Sequence, residues 1–253
     1  MGPLGVGVIT LYLNVVALSP CPEGAVDWVR QTIRARVLAP PDVQGVNLAQ
    51  ARLGAQKNLA RSAVAALLEC VKPLHVDSEL SISEEISMAP TIRADLEKAL
   101  GGYRTTARQW FSDGGLWADV EIPLATVAAV FAPLNEEPAL PQRSTARKSH
   151  DTGLIVDARK LPVARALRGR LLDSSGGVLQ GTQTLSTEAR AARLPLIYVG
   201  SVAEARKLPQ LGRRPRVMKA VRTQGVDVVV GDADAKRVRD APYLREGNVA
   251  IAR

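Results

Sequence analysis

The stretch YRTTARQWFSDGGLWADVEIPL, residues 103–124, decides the fold class. Two strand-forming runs, 103–111 and 116–124, flank Ser112-Asp113-Gly114-Gly115, a turn rich in residues that tolerate left-handed backbone. In the second arm Leu116, Ala118, Val120, Ile122 and Leu124 alternate with Trp117, Asp119 and Glu121. Such alternation describes a β-hairpin with one buried and one solvated face. A sheet of that kind needs an apolar layer on its inner side, so helices are expected nearby in the chain.

They are found upstream. Leu48, Ala51, Ala55, Leu59, Ala63, Leu67 and Cys70 recur at three- and four-residue spacing, which predicts a long helix from Asn47 to Lys72. Asn47 followed by Gln50 predicts a cap at its start, and Pro73 stops it. Ile92, Leu96 and Leu100 predict a shorter helix closed by Gly101-Gly102. Residues 26–37 and 75–86 alternate in a way that predicts a strand for each. The half spanning 25–131 therefore reads strand, helix, strand, helix, strand, strand.

Downstream, 132–150 reads as a linker, with Pro133, Pro138 and Pro141 followed by a polar basic run. The remainder, 151–253, predicts a second domain. It has strands at 153–158, 196–199, 217–222, 226–230 and 248–252, a hairpin turning at 173–177, and short helices at 203–208 and 232–239. The expected class is α+β: two small domains, each an antiparallel or mixed sheet with helices packed on one face.

The chain has 253 residues, 46% of them hydrophobic but only 4% aromatic, so its cores must be built from Ala, Val, Leu and Ile. A net charge of +8 and a pI of about 9.9 permit attraction to phosphate, anionic lipid or acidic partners without choosing among them. Residues 1–24 form a signal-like segment whose apolar run, 4–18, is about fifteen residues long, short for a membrane span. Cys21 follows it and is a candidate lipidation residue, although Pro20 stands where a small residue is usual. A Cys21–Cys70 disulfide is the alternative, and a buried reduced Cys70 is the simpler reading of that residue.

The constellations of catalysis are missing from the sequence. It has no Walker loop, and two histidines, His75 and His150, offer no zinc spacing. Ser201 after a strand faintly suggests a nucleophile, but a helix N-cap explains it better. Asp227, Asp232 and Asp234 sit at a strand-to-helix turn, where capping is the simpler role than metal binding. No catalytic, cofactor-binding or metal residue is expected. The basic residues are dispersed and lack a nucleic-acid-binding motif, so nucleic acid is disfavoured.

The ordered stretches carry a resemblance. Gly24-Ala25-Val26-Asp27-Trp28, the Ala/Arg-rich helix 49–72, Val76-Asp77-Ser78, Asp113-Gly114-Gly115-Leu116-Trp117, Val120-Glu121-Ile122-Pro123-Leu124 and Thr152-Gly153-Leu154-Ile155-Val156-Asp157-Ala158-Arg159 lie in the order found in one group of proteins. The pattern resembles bacterial envelope proteins of the Lpp-twenty lipoprotein type and the related flagellar assembly proteins that build rings around the motor. The resemblance implies an exported protein of the periplasm or outer membrane. It would self-associate or bind other envelope proteins, without cofactor or catalysis. The expected contact surface is the hairpin carrying Trp110 and Trp117, or the basic loop Arg213, Arg214, Arg216. The alternative is a module that binds polyanions: acidic glycan, lipid or nucleic acid.

Overall fold

A computed structural model describes residues 21, 24–131 and 150–253. Most of the signal-like segment and all of the predicted linker but His150 lie outside the described residues.

The chain is α+β. Its N-terminal half runs β1 (Val26–Asp27), β2 (Thr32–Ala39), α1 (Leu48–Val71), α2 (Ile82–Met88), α3 (Pro90–Leu100), β3 (Arg104–Trp110), β4 (Leu116–Pro123) and α4 (Leu124–Val130). The four strands form one antiparallel sheet in the order β1-β2-β4-β3. Ile33, Ala35, Val37 and Ala39 of β2 and Leu116, Ala118, Val120 and Ile122 of β4 bury one face. Ala55, Leu59, Ala63 and Leu67 of α1 pack into the same core. Alanine on both sides lets helix and sheet approach closely, and Leu67 fills the remaining depth. Truncating Leu67 to Ala should cost about 3 kcal/mol. On the open face the charges pair across strands: Arg34 with Glu121 at 2.6 Å and Arg36 with Asp119 at 2.7 Å.

Asn47 caps α1 by accepting from Gln50 N at 2.9 Å. Gln50 Oε1 accepts from Val46 N, one residue earlier than a reciprocal capping box requires. Two expected strands differ. The run 26–37 is broken at its middle, because Asp27 Oδ1 accepts from Val29 N and Arg30 N and Gln31 adopts φ +57°. The alternation there belongs to a tight hairpin, not to one strand. The run 75–86 is not a strand either. Ser81 and Glu84 form the reciprocal capping box of α2, and Asp77 Oδ1 accepts from Glu79 N and Leu80 N. Ser, Asp and Glu carry that alternation, and their side chains bond local backbone more readily than they join a ladder.

The C-terminal half contains β5 (Gly153–Asp157), β6 (Leu171–Leu172), β7 (Val178–Gln180), α5 (Thr187–Ala192), β8 (Ile197–Val199), α6 (Val202–Ala205), β9 (Pro215–Gln224), β10 (Asp227–Val230), α7 (Asp232–Val238), α8 (Pro242–Arg245) and β11 (Val249–Ala252). They build a seven-stranded mixed sheet, β7-β6-β10-β9-β5-β11-β8. The long β9 joins its two parts, running parallel to β5 and antiparallel to β10. Strands β5, β8, β10 and β11 are buried on both faces, whereas β9 is largely exposed, with Met218 its one buried residue. Leu154, Val156, Val249 and Ile251 face the main core. Ile155, Ile197, Ala250 and Ala252 face a smaller one with Ala205, Leu208 and Leu211. Burial on both faces explains why β5 and β11 read as continuous apolar runs.

The halves share the main core. Trp28 meets Tyr198 edge-on, ring centroids 5.5 Å apart. His75 pairs with Ala166 as a parallel bridge, with Leu167 N donating to His75 O and Arg168 N to Val76 O. Gln31 is buried at this junction. Its Nε2 donates to Leu196 O at 3.1 Å, and its Oε1 accepts from Leu194 N at 2.9 Å.

Candidate interaction surface

Both cysteines are joined. Cys21 and Cys70 form a disulfide across 49 residues of sequence, tying the start of the described chain to the last turn of α1. It is the Cys21–Cys70 alternative offered by the sequence, and Cys70 is not a reduced core residue; this bond and a thioether lipid on Cys21 exclude each other. Geometry brings the pair together, for Cys70 lies near the end of α1 and Cys21 packs against the core there.

The hairpin tryptophans stand on opposite faces. Trp110 pairs in register with Leu116, an inward residue, whereas Trp117 pairs with Gln109 on the open face. Each ring carries a guanidinium: Arg52 of α1 lies 5.6 Å from the Trp110 centroid, and Arg36 of β2 lies 4.7 Å from that of Trp117. Trp117 Nε1 also donates to Gln109 Oε1 at 3.2 Å. Two aromatic–cation pairs thus flank the hairpin, one on each face. On the same face as Trp117, Glu121 is buried between Arg34 and Arg104. Its carboxyl is lowered below the usual range: burial opposes this, and the bonds from Arg104 and Arg34 outweigh it.

The basic loop lies on the other half. Arg213 and Arg214 are exposed at the entry to β9. Arg216 is committed to Asp151, Nε to Oδ2 at 2.6 Å, and that bond raises its pKa. Two of the three arginines therefore remain presented to solvent.

The remaining candidates resolve into structural roles. Ser201 Oγ accepts from Glu204 N at 3.0 Å and caps α6. Asp227 is buried, accepting from Arg170 N, Nε and Nη2 and from the Ser78 hydroxyl. It thus ties the C-terminal half to the 77–79 turn. Asp232 accepts from Ser174, and Asp234 pairs with Arg237. The three aspartates do not converge, and among the described residues no group of three His, Cys, Asp or Glu is placed to hold a metal. The first turn of α7 contains Asp232 and Asp234, but neither side chain caps it. Asp173, which the sequence marks only as a turn residue, accepts from Ser175 Oγ and Gly177 N and pairs with Arg239. Those partners, Ser175 first, lower its carboxyl to about 2.

A polar cleft of about 240 Å³ opens where the halves meet, lined by Asp77, Ser78, Glu79, Arg168, Arg170, Thr182 and Gln183. Three of its four charged groups, all but Glu79, are engaged. Arg170 holds Asp227, Arg168 donates to Phe131 O at 3.0 Å, and Asp77 closes its own turn. No helix among the described residues is long and apolar enough to cross a membrane.

Fold and surface together define an α+β chain of two joined sheets. Its C-terminal half, residues 153–252, matches the family model described as Treponema pallidum Tp0624, second domain. That match spans β5 to β11, the whole seven-stranded sheet, and leaves the N-terminal half unmatched. No curated protein matches the chain.

Proposed function

We propose that the chain is a non-enzymatic component of the bacterial cell envelope, exported to the periplasm or outer membrane and acting through protein contacts in an assembly. The observation that carries this reading is the Cys21–Cys70 disulfide. Such bonds persist in oxidising compartments and are rare in the cytosol. The contact role is supported by the Trp110–Arg52 and Trp117–Arg36 pairs, since Trp and Arg are the residues that most often dominate binding energy at interfaces. Light scattering of the oxidised full chain over a range of salt tests the assembly. A discrete, salt-tolerant multiple of 27.0 kDa is the expected result. A monomer at every concentration, with no envelope protein cross-linked to it in cells, would overturn the proposal. Exposed Arg213 and Arg214 favour a second reading, polyanion binding, which a steep loss of binding with added salt would mark.

A further inference from the structure

β3 is the outer strand of the N-terminal sheet, bonded to β4 on one side and to no described strand on the other. Its side chains are exposed from Arg104 to Gln109, and Trp110 is half-buried. An edge of this kind offers N–H and C=O groups to another strand. The hairpin sets which ones. Phe111 N donates to Gly115 O at 2.8 Å, and Phe111 O accepts from Gly114 N at 3.1 Å. Peptide groups alternate in direction along an antiparallel strand. Ala107 and Gln109 therefore also turn theirs towards β4, while Arg108 and Trp110 turn theirs to the free edge. A bulge breaks the register between Thr105 and Ala107, where Thr106 donates its hydroxyl to Asp119 O at 3.2 Å. The edge open to pairing is thus 107–111. Arg108 and Trp110 stand on its inward side, in register with Ala118 and Leu116. Among the described residues the Arg108 guanidinium has no hydrogen-bond or ion-pair partner.

We propose that β3 pairs antiparallel with β3 of a second copy of this chain, about a two-fold axis at Gln109, so that two four-stranded sheets become one continuous sheet. The proposal deepens the assembly reading and rests on it for self-association, not for the compartment. The edge is complementary to itself in this register. Arg108 stands opposite the partner subunit's Trp110, and Trp110 opposite the partner subunit's Arg108. Both are hydrogen-bonded positions, so each pair exchanges two backbone bonds. Each guanidinium also meets an indole, the contact that this chain makes at Arg52–Trp110 and Arg36–Trp117. On the open face Ala107 lies opposite the partner subunit's Phe111, a ring 38% exposed in the single chain. The neighbouring registers lack these matches. An axis at Arg108 sets two like charges opposite each other, which is unfavourable. An axis at Ala107 runs into the bulge. An axis at Trp110 places Arg108 against Ser112 and away from the ring.

The test uses the oxidised full chain. In the proposed register the two Gln109 residues form a non-hydrogen-bonded pair with Cα atoms about 4.5 Å apart, within reach of a disulfide. Gln109→Cys should therefore cross-link under mild oxidation to a species of twice 27.0 kDa, whereas Ala107→Cys, two residues from the axis, should not. Arg108→Glu should weaken association at least about tenfold in sedimentation equilibrium, because both guanidinium–indole contacts are lost. Arg108→Pro should abolish it, since proline there removes an N–H from the free edge and none from the bonds to β4. Far-ultraviolet circular dichroism of each variant checks that the fold is kept, and Arg108→Glu carries the test if the proline variant does not fold. A monomer at every concentration would overturn the proposal, as would equal cross-linking of the two cysteine variants. A discrete oligomer that Arg108→Glu leaves intact would also overturn it, while leaving the assembly reading standing. A dimer broken by Arg108→Glu but found reduced in the cytosol would support the β3 edge and remove the envelope reading.

Discussion

Replacing Gln31 with alanine should uncouple the two halves. The residue holds φ +57° in the turn between β1 and β2 and is buried at the edge of β8. Its amide reads the neighbouring backbone in both directions, donating to Leu196 O and accepting from Leu194 N. Alanine removes both partners and keeps the left-handed backbone. Each orphaned group costs about 1–3 kcal/mol, so the loss should be about 2–6 kcal/mol, nearer the lower figure if water enters the gap. Glycine removes the same bonds but relieves the backbone, which is worth about 1 kcal/mol. Gln31→Gly should therefore be the milder change, an order that side-chain size alone would reverse. The assay is urea unfolding followed by tryptophan fluorescence, which reports the N-terminal half because Trp28, Trp110 and Trp117 all lie there, and by far-ultraviolet circular dichroism, which reports both halves. The two probes should coincide in the parent chain, whose core is continuous, and separate in the alanine variant. An alanine variant within about 0.5 kcal/mol of the parent, with coincident transitions, would refute the role given to Gln31.

Three further outcomes are expected. The Cys21→Ser/Cys70→Ser variant releases a loop closed across 49 residues, and should lose about 4 kcal/mol in urea unfolding; a loss below about 1 kcal/mol would contradict a native disulfide. The Asp173 carboxyl, lowered from 3.8 to about 2, contributes stability that is present above its ordinary value and lost as pH falls towards 2. Asp173→Asn should flatten that acid limb, and a carboxyl titration by NMR should find its midpoint near the lowered value. Gly54 lies mid-helix, where alanine is usually better by about 1 kcal/mol, but a Cβ there would overlap Asp42 Cβ. Gly54→Ala should therefore destabilise and open the 42–47 loop to protease, whereas a more stable variant would show that the loop does not pack on α1.

The elements legible in the sequence are those whose physics is local. The hairpin at 103–124 announces itself by alternation and by Asp113-Gly114-Gly115, and α1 by its stripe of small apolar residues. Even the two-residue β6 is marked by the Asp173–Gly177 turn that follows it. Strand order is not legible, because β2 meets β4 and β5 meets β11 across long stretches of chain. Helices as short as α5 and α8 offer too few turns to show a period. Of the candidate contact surface, Trp110 and Trp117 can be singled out by residue type, but their arginine partners come from α1 and β2 and are joined to them only by the fold. Gln31 carries no motif; its role exists only because the C-terminal sheet edge arrives beside it.

The central claim, that this is an extracytoplasmic protein, is tested most directly by the thiol state of Cys21 and Cys70 in intact cells. Acid quenching followed by alkylation and mass analysis of the envelope and cytosolic fractions reads it. The expected result is chain in the envelope fraction with both sulfurs resistant to alkylation until reduced. Chain recovered from the cytosol with both thiols alkylated would contradict the account.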